Sequence, residues 1–297
     1  MSVQPKLGYI GVGLMGKPMV LRLLAAGYAV SVWNRSPEKL KPVADKGARA
    51  LASAAEVARA ADIVMLCVTD QKAAEIVLFG PEGVAAGGAP GKLVVDFSSI
   101  APASARAYAD RLQREAGMGL VDAPVSGGVP GAEQGTLAIM AGGRAEDFER
   151  AKPVVAHLSS RFTLMGAAGA GQATKLCNQI IVGCLFPVLA EAIRVAETAG
   201  VDAARLPEAL KGGFADSVPL QVFGPRIARR VWDPPIGDVA TLLKDLENAA
   251  AVAREAGVPL PMARSAAELY RMLKVLRPEG AEPTMLIELL AGRGGAR

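Results

Sequence analysis

The chain has 297 residues, of which 51% are hydrophobic, and a formal net charge of +4. It can therefore bury large cores, divides into two domains by size, and is neither disordered nor fibrous. Its Lys and Arg residues are scattered without a block of like charge, which favours small anionic ligands over nucleic acid. Cys67, Cys177 and Cys184 form no CxxC pair and no Cys/His cluster; they read as core packing in a reducing cytoplasm, with no metal site expected. Lys17 and Arg22 interrupt the first apolar stretch, no small-residue cleavage site follows it, and no other run lacks charges for long enough to span a bilayer. The expectation is a cytoplasmic protein with no membrane partner.

From Leu7 to about Gly166, short Val/Ile/Leu runs alternate with Ala-rich segments carrying charges at helical spacing, the pattern of parallel strands joined by crossover helices. The strand candidates in order are LGYIGV, AVSVWN, DIVMLCV, KLVVDFS, LVDAPV, TLAIMAG and RFTLM. They predict an α/β doubly wound parallel sheet over residues 1–166. GAAGAG is the nearest thing to a linker. After it, apolar residues recur at helical period from Leu176 to Ile193, which predicts a long helix that Pro187 bends or breaks. LPEALKGG, VATLLKDLENAAAVAREAG, ARSAAELYRMLKVLR and TMLIELLAG are all helix-like, so residues 167–297 read as an all-α domain whose last residues, GRGGAR, look frayed.

Gly11-Val12-Gly13-Leu14-Met15-Gly16 directly follows the first strand and opens the first helix. In this context Gly11 permits a tight turn, Gly13 a close approach of backbone to a pyrophosphate, and Gly16 close packing of helix on strand. The helix N-terminus then favours the anion. A glycine-rich turn of some other α/β protein is the competing reading, and the strand before and helix after favour the cofactor. At the end of the second strand, where an acid would bind the ribose of NAD, stand Asn34, Arg35 and Ser36. A guanidinium, an amide and a hydroxyl suit a 2′-phosphate, so NADP(H) is preferred and NAD(H) possible. The alternative is that Arg35 is a solvated turn residue before Pro37.

Hydride transfer to a carbonyl leaves an alkoxide that needs a proton donor. The only histidine, His157, lies at an apparent helix end without acids to orient it and reads as structural. GAGQATKLCNQ opens the long helix and places Lys175 and Asn178 on one face. A part-buried lysine near a cationic nicotinamide could have a lowered pKa and act as general acid, with Asn178 orienting the amine or bonding the substrate. A solvated helix face is the competing reading, against which stand their apolar neighbours. In VDAPVSGG, Ser126, Gly127 and Gly128 leave a strand in a loop able to aim N–H groups and a hydroxyl at a carboxylate, or to form a plain turn. VVDFSSIAP places Ser98 and Ser99 at another strand end, where ligands of doubly wound sheets collect. Lys244 and Asp245, in TLLKDLENA, offer a second cation or a surface pair.

Together GVGLMG, DAPVSGG, GAGQATKLCNQ and KDL occur in the order and at the approximate spacings of the β-hydroxyacid dehydrogenase family, which nearly the whole chain resembles. The resemblance implies a Rossmann-type domain joined by a long helix to an all-helical domain, assembled as a homodimer or homotetramer. It implies Lys175 as the catalytic lysine and Asn178 as its partner, and Ser126, Gly127 and Gly128 as the substrate-anchoring loop. Ser99 would contact the nicotinamide end and Lys244 would lie near the cofactor. WNRS resembles the NADPH-preferring branch. KGGFADSVPL is similar to the branch reducing tartronate semialdehyde, glyoxylate or succinic semialdehyde. The substrate implied is a small carboxylate-bearing carbonyl compound. A 3-hydroxyisobutyrate dehydrogenase, whose relatives typically carry an acid after the second strand, is the alternative within the family. Imine reductases and non-catalytic dinucleotide-binding relatives also look similar, but usually lack the lysine at position 175.

Overall fold

A computed structural model of the protein describes residues 4–290; Ala291 and the GRGGAR tail lie outside them. The described residues form two compact units, divided between Lys175 and Leu176.

The first unit runs β1 (Leu7–Ile10), α1 (Gly16–Ala25), β2 (Val30–Trp33), α2 (Lys41–Ala44), β3 (Arg49–Ala50), α3 (Ala54–Ala60), β4 (Ile63–Leu66) and α4 (Gln71–Phe79). It continues through β5 (Leu93–Asp96), α5 (Pro102–Ala116), β6 (Gly119–Asp122), β7 (Val125–Ser126), α6 (Gly128–Gln134), β8 (Leu137–Gly142), α7 (Ala145–Val155) and β9 (Ser159–Gly166). The nine strands form one sheet in the order β3-β2-β1-β4-β5-β6-β8-β7, with β9 paired to β8. β1, β4, β5 and β6 are buried along their whole length, as continuous apolar runs in a covered parallel sheet require. Alternate residues serve opposite faces: Ile63, Met65, Leu93 and Val95 join one core, Val64, Leu66 and Val94 the other. Helices therefore cover both faces, and the fold is Rossmann-like.

The parallel sheet carries an antiparallel element at one edge. β8 runs antiparallel to β6 and β7, then pairs in parallel with β9. The return from β7 through the short α6 is too brief for a crossover, and an antiparallel neighbour needs none.

α8 (Ala170–Thr198) begins in the first unit and continues into the second, where α9 (Leu206–Leu210), α10 (Val218–Arg229), α11 (Val239–Glu255) and α12 (Pro261–Leu276) follow. Phe186, Leu189 and Ile193 of α8 meet Leu242 and Leu246 of α11 and Tyr270 and Leu273 of α12 in one core. The TMLIELLAG segment forms a 3-10 helix, Pro283–Leu290, over its described part.

Pro187 does not break α8, which runs on through it. A proline lacks the N–H that would bond the carbonyl four residues back, here that of Gly183. The Tyr270 hydroxyl donates to that carbonyl at 2.8 Å and replaces the missing partner. Among the described residues α8 is also the one helix long and apolar enough to cross a membrane by length and composition. One face of it forms the core just described.

Candidate active site

The candidate residues of the first unit cluster at the C-terminal ends of parallel strands, where ligands of open α/β sheets bind. β1 runs into Gly11, whose φ of +94° suits glycine alone, and a Cβ there would overlap the Cys67 carbonyl. A Cβ on Gly16 would overlap the carbonyl of Gly11, so α1 starts in direct contact with the turn. Gly13 differs: a Cβ there would meet nothing within 4 Å. Val12 is buried, Met15 half-buried, and the Leu14 side chain 82% exposed.

At the end of β2, Asn34 turns inward. Its Oδ1 accepts the Val12 N–H at 3.0 Å and its Nδ2 donates to the Ser36 carbonyl at 2.9 Å. The carboxamide predicted to meet a phosphate instead ties the glycine turn to the second strand, while Arg35 is exposed and Ser36 half-buried beside it. The charge of Arg35 helps hold the Asp70 carboxyl below its usual range, after the larger effects of the Ala73 amide and the Thr69 hydroxyl.

Beyond β5, the two serines separate. Ser98 is buried, and its hydroxyl accepts the Val68 N–H at 3.0 Å; Ser99 is exposed. Beyond β6, Ser126, Gly127 and Gly128 turn with φ of +128° at Gly127 and +61° at Gly128, and α6 starts at Gly128. The half-buried Lys175 of α8 donates from Nζ to the Val125 carbonyl at 2.9 Å. The amine is thereby held one residue from Ser126.

Within the second unit, Asn178 donates from Nδ2 to Gln179 Oε1 at 2.8 Å, and Gln179 donates from Nε2 to Asp245 Oδ2 at 2.6 Å. Lys244 Nζ lies 3.6 Å from Asp245 Oδ1. Asp245 is buried while its lysine neighbour is exposed. The Lys244–Asp245 pair is thus one end of a polar chain that starts at Asn178.

His157 is exposed at the end of α7, edge-on to the Tyr28 ring at 5.6 Å. Of the thiols, Cys67 is packed as expected and burial pushes it up to about 12; Cys177 is exposed, a correction to its reading as core. Three further side chains shape the site without having been singled out. Asp122 ends β6 and Gln172 opens α8, both buried. Arg22 of α1 donates to the carbonyls of His157 at 2.7 Å and Glu133 at 3.1 Å, holding the end of α6, the helix that the Ser126 loop opens. The Asp of DAPVSGG was the one available signal for Asp122.

Residues 6–166 match the family described as the NAD binding domain of 6-phosphogluconate dehydrogenase. Residues 169–290 match that described as the NAD-binding of NADP-dependent 3-hydroxyisobutyrate dehydrogenase. The chain is similar to the 2-hydroxy-3-oxopropionate reductase of Escherichia coli strain K12, 40% identical over 269 residues that cover 89% of this chain and 90% of that protein. It is also similar to a probable 3-hydroxyisobutyrate dehydrogenase-like 3, mitochondrial, of Arabidopsis thaliana, 40% identical over 248 residues, covering 84% and 77%. Among solved structures, the 3-hydroxyisobutyrate dehydrogenase of Mycobacterium tuberculosis with L-serine superposes with a TM-score of 0.85 at 30% identity, covering 98% of this chain and all of that one.

Proposed function

The chain belongs to the β-hydroxyacid dehydrogenase family of NAD(P)-dependent oxidoreductases acting on CH–OH groups, and from that premise we propose an NADPH-dependent reductase of a small carboxylate-bearing aldehyde or keto acid. Tartronate semialdehyde (2-hydroxy-3-oxopropionate), glyoxylate and succinic semialdehyde are the substrates it names. The observation that carries it is the Lys175 amine, held at 2.9 Å by the Val125 carbonyl immediately before the Ser126 loop. A proton donor thus sits beside a loop suited to a carboxylate.

The glycine turn fits a dinucleotide. Gly11 and Gly16 are closed by backbone, whereas Gly13 faces open space where a pyrophosphate can approach. The turn from Gly11 through Val12, Leu14 and Met15 to Gly16 would hold that group at the start of α1. When bound, the reduced nicotinamide supplies a hydride to the carbonyl carbon. Lys175 gives its Nζ proton to the oxygen as the alkoxide develops and recovers one from solvent. Ser126 and the backbone of Gly127 and Gly128 hold the carboxylate. Asn178, less than one turn beyond Lys175, orients the amine or bonds the substrate hydroxyl. Ser99 is assigned to the nicotinamide end, and Lys244 to the cofactor. Exposed Arg35, with Ser36, would take a 2′-phosphate, and the absence of an acid there supports NADPH over NADH. Asn34 serves by holding the turn at Val12. The reading includes a homodimer or homotetramer, which sedimentation would measure.

The test is NADPH and NADH oxidation against glyoxylate, succinic semialdehyde, tartronate semialdehyde, methylmalonate semialdehyde and a cyclic imine. Fast NADPH-dependent turnover of a short acid aldehyde is expected. Turnover of the imine alone would move the protein to imine reduction, and cofactor binding without turnover would favour a non-catalytic role. Preference for methylmalonate semialdehyde would point to a 3-hydroxyisobutyrate dehydrogenase. Lys175→Ala should lower kcat by about 10² or more, the scale of a lost general acid, with NADPH affinity retained. Arg35→Asp should shift kcat/KM toward NADH, and an unchanged NADPH:NADH ratio would overturn the assignment of Arg35.

A further inference from the structure

Two buried side chains not assigned to the chemistry meet at the start of α8. Asp122 is fully buried, and its carboxylate takes one amide on each oxygen: Gly169 N–H on Oδ1 at 2.7 Å and Gln172 N–H on Oδ2 at 2.9 Å. Gln172 is 1% exposed, and its carboxamide reaches the opposite way. Nε2 donates to the Ser98 carbonyl at 2.7 Å, and Oε1 accepts the Ile100 N–H at 3.1 Å. The residue between those two contacts is Ser99.

The helix start is also in direct contact with the sheet. A Cβ on Gly142 would stand 2.5 Å from Asp122 Oδ1, and one on Gly171 would stand 2.5 Å from the Met140 carbonyl oxygen and 2.6 Å from that of Asp122. No clearance remains for this turn to slide or rotate. Lys175 follows Gln172 by three residues and Gly171 by four, so it projects from the same side of the helix. Its amine meets the carbonyl of Val125, three residues after Asp122 itself. The path from Asp122 through the first turn of α8 to Lys175, and back through Val125, is closed. Apolar packing could hold a helix against a sheet, but it would not set rotation and height as directed hydrogen bonds at both edges do.

We propose that Asp122 and Gln172 are positioning residues for the reaction: they fix the first turn of α8 so that the Lys175 amine and the Ser99 loop stand in one register. This rests on the reading of Lys175 as general acid. Displacing a reacting group by about 1 Å can cost about 10² in rate, so the role is large enough to measure.

The experiment assays the full-length enzyme and the variants Gln172→Ala, Gln172→Glu, Asp122→Asn and Lys175→Ala with tartronate semialdehyde and glyoxylate at saturating NADPH. Active sites are counted by NADPH fluorescence titration. Gln172→Glu keeps an acceptor for Ile100 and replaces the amide donor to Ser98 by a carboxyl group, which can donate to that carbonyl only while protonated. The expected result is that Gln172→Ala and Asp122→Asn lose about tenfold or more in kcat per titrated site, that Gln172→Glu falls between Gln172→Ala and wild type, and that NADPH Kd stays within about twofold. The primary isotope effect with 4-deuterated NADPH should not fall, because the chemical step is the one slowed. A merely structural role lowers the number of sites or the melting temperature and leaves turnover per site alone. Turnover per site reduced less than about tenfold in Gln172→Ala, or loss of NADPH sites in every Gln172 and Asp122 variant, would overturn the proposal. Lys175 separates the two claims. An active Lys175→Ala, or a wild type that turns over neither aldehyde, sinks the general-acid reading and this inference with it; an inactive Lys175→Ala beside a fully active Gln172→Ala sinks the positioning role alone.

Discussion

Asp96 and Asp122 face each other as paired residues at the ends of neighbouring parallel strands β5 and β6, and both are fully buried. Their surroundings are nonetheless different. Asp122 receives an amide on each oxygen, from Gly169 just before α8 and from Gln172 in its first turn. Asp96 receives the Ser98 N–H on Oδ1 at 2.8 Å, and its Oδ2 has no hydrogen-bond partner among the described residues. Burial raises both carboxyls. For Asp96 the rise reaches about 7, opposed by Ser98 and increased by Asp122; for Asp122 the amides of Gly169 and Gln172 oppose it most. Strand register places the two acids alike, and the helix that arrives afterwards decides which one carries structure. A carboxylate that accepts several N–H groups is anchored, whereas one with a bare oxygen is poised to hold a proton.

The sharpest way to break this contrast is to remove the carboxyl groups one at a time. Asp122→Ala leaves the amides of Gly169 and Gln172 without that acceptor and opens a space beneath them. Urea unfolding at pH 7 should show a loss of about 3–5 kcal/mol, and a loss below about 1 kcal/mol would deny the anchoring role. Asp96→Asn should cost less, because a neutral amide resembles the protonated acid it replaces. Its signature lies in pH. With a folded value near 7 above an unfolded value of about 3.9, the contribution of Asp96 is fully present below about pH 4 and disappears as pH rises through 7. The stability of wild type minus that of Asp96→Asn should therefore fall between pH 4 and 8, by ~2–4 kcal/mol. A flat difference would mean that Asp96 ionises as an ordinary carboxyl.

Much of the molecule was legible because its signals are local. Short continuous Val/Ile/Leu runs mark the main strands and period-3.6 patterns the helices, and GVGLMG lies where a strand meets a helix. Lys175 and the Ser126 loop stood out as polar groups at the ends of apolar runs. β3 and β7 are two residues each, too short for periodicity to register. The neighbours of Asn34 in sequence suggest a ligand contact, whereas its donor Val12 lies on another strand's turn. Asp122 and Gln172 are silent in the sequence for the same reason. Asp122 reads as the last residue of a strand and Gln172 as part of a glycine-rich connection, and each acquires its role through bonds to residues about 50 to 70 positions away. Glycines 142 and 171 carry no periodic signal, yet they decide how closely the helix approaches the sheet.

The bond from Tyr270 to Gly183 also makes positions 187 and 270 unequal partners. With any ordinary residue at position 187, the carbonyl of Gly183 would already have a helical donor, and a tyrosine hydroxyl could join it without harm because a carbonyl has two lone pairs. With proline at 187 and no tyrosine at 270, the same buried carbonyl would lack a donor, at a cost of about 1–3 kcal/mol. Proline thus depends on the tyrosine, and the tyrosine does not depend on proline. With both in place, replacing Pro187 restores the helical donor, whereas removing Tyr270 strands the carbonyl, so the tyrosine is the harder of the two to lose.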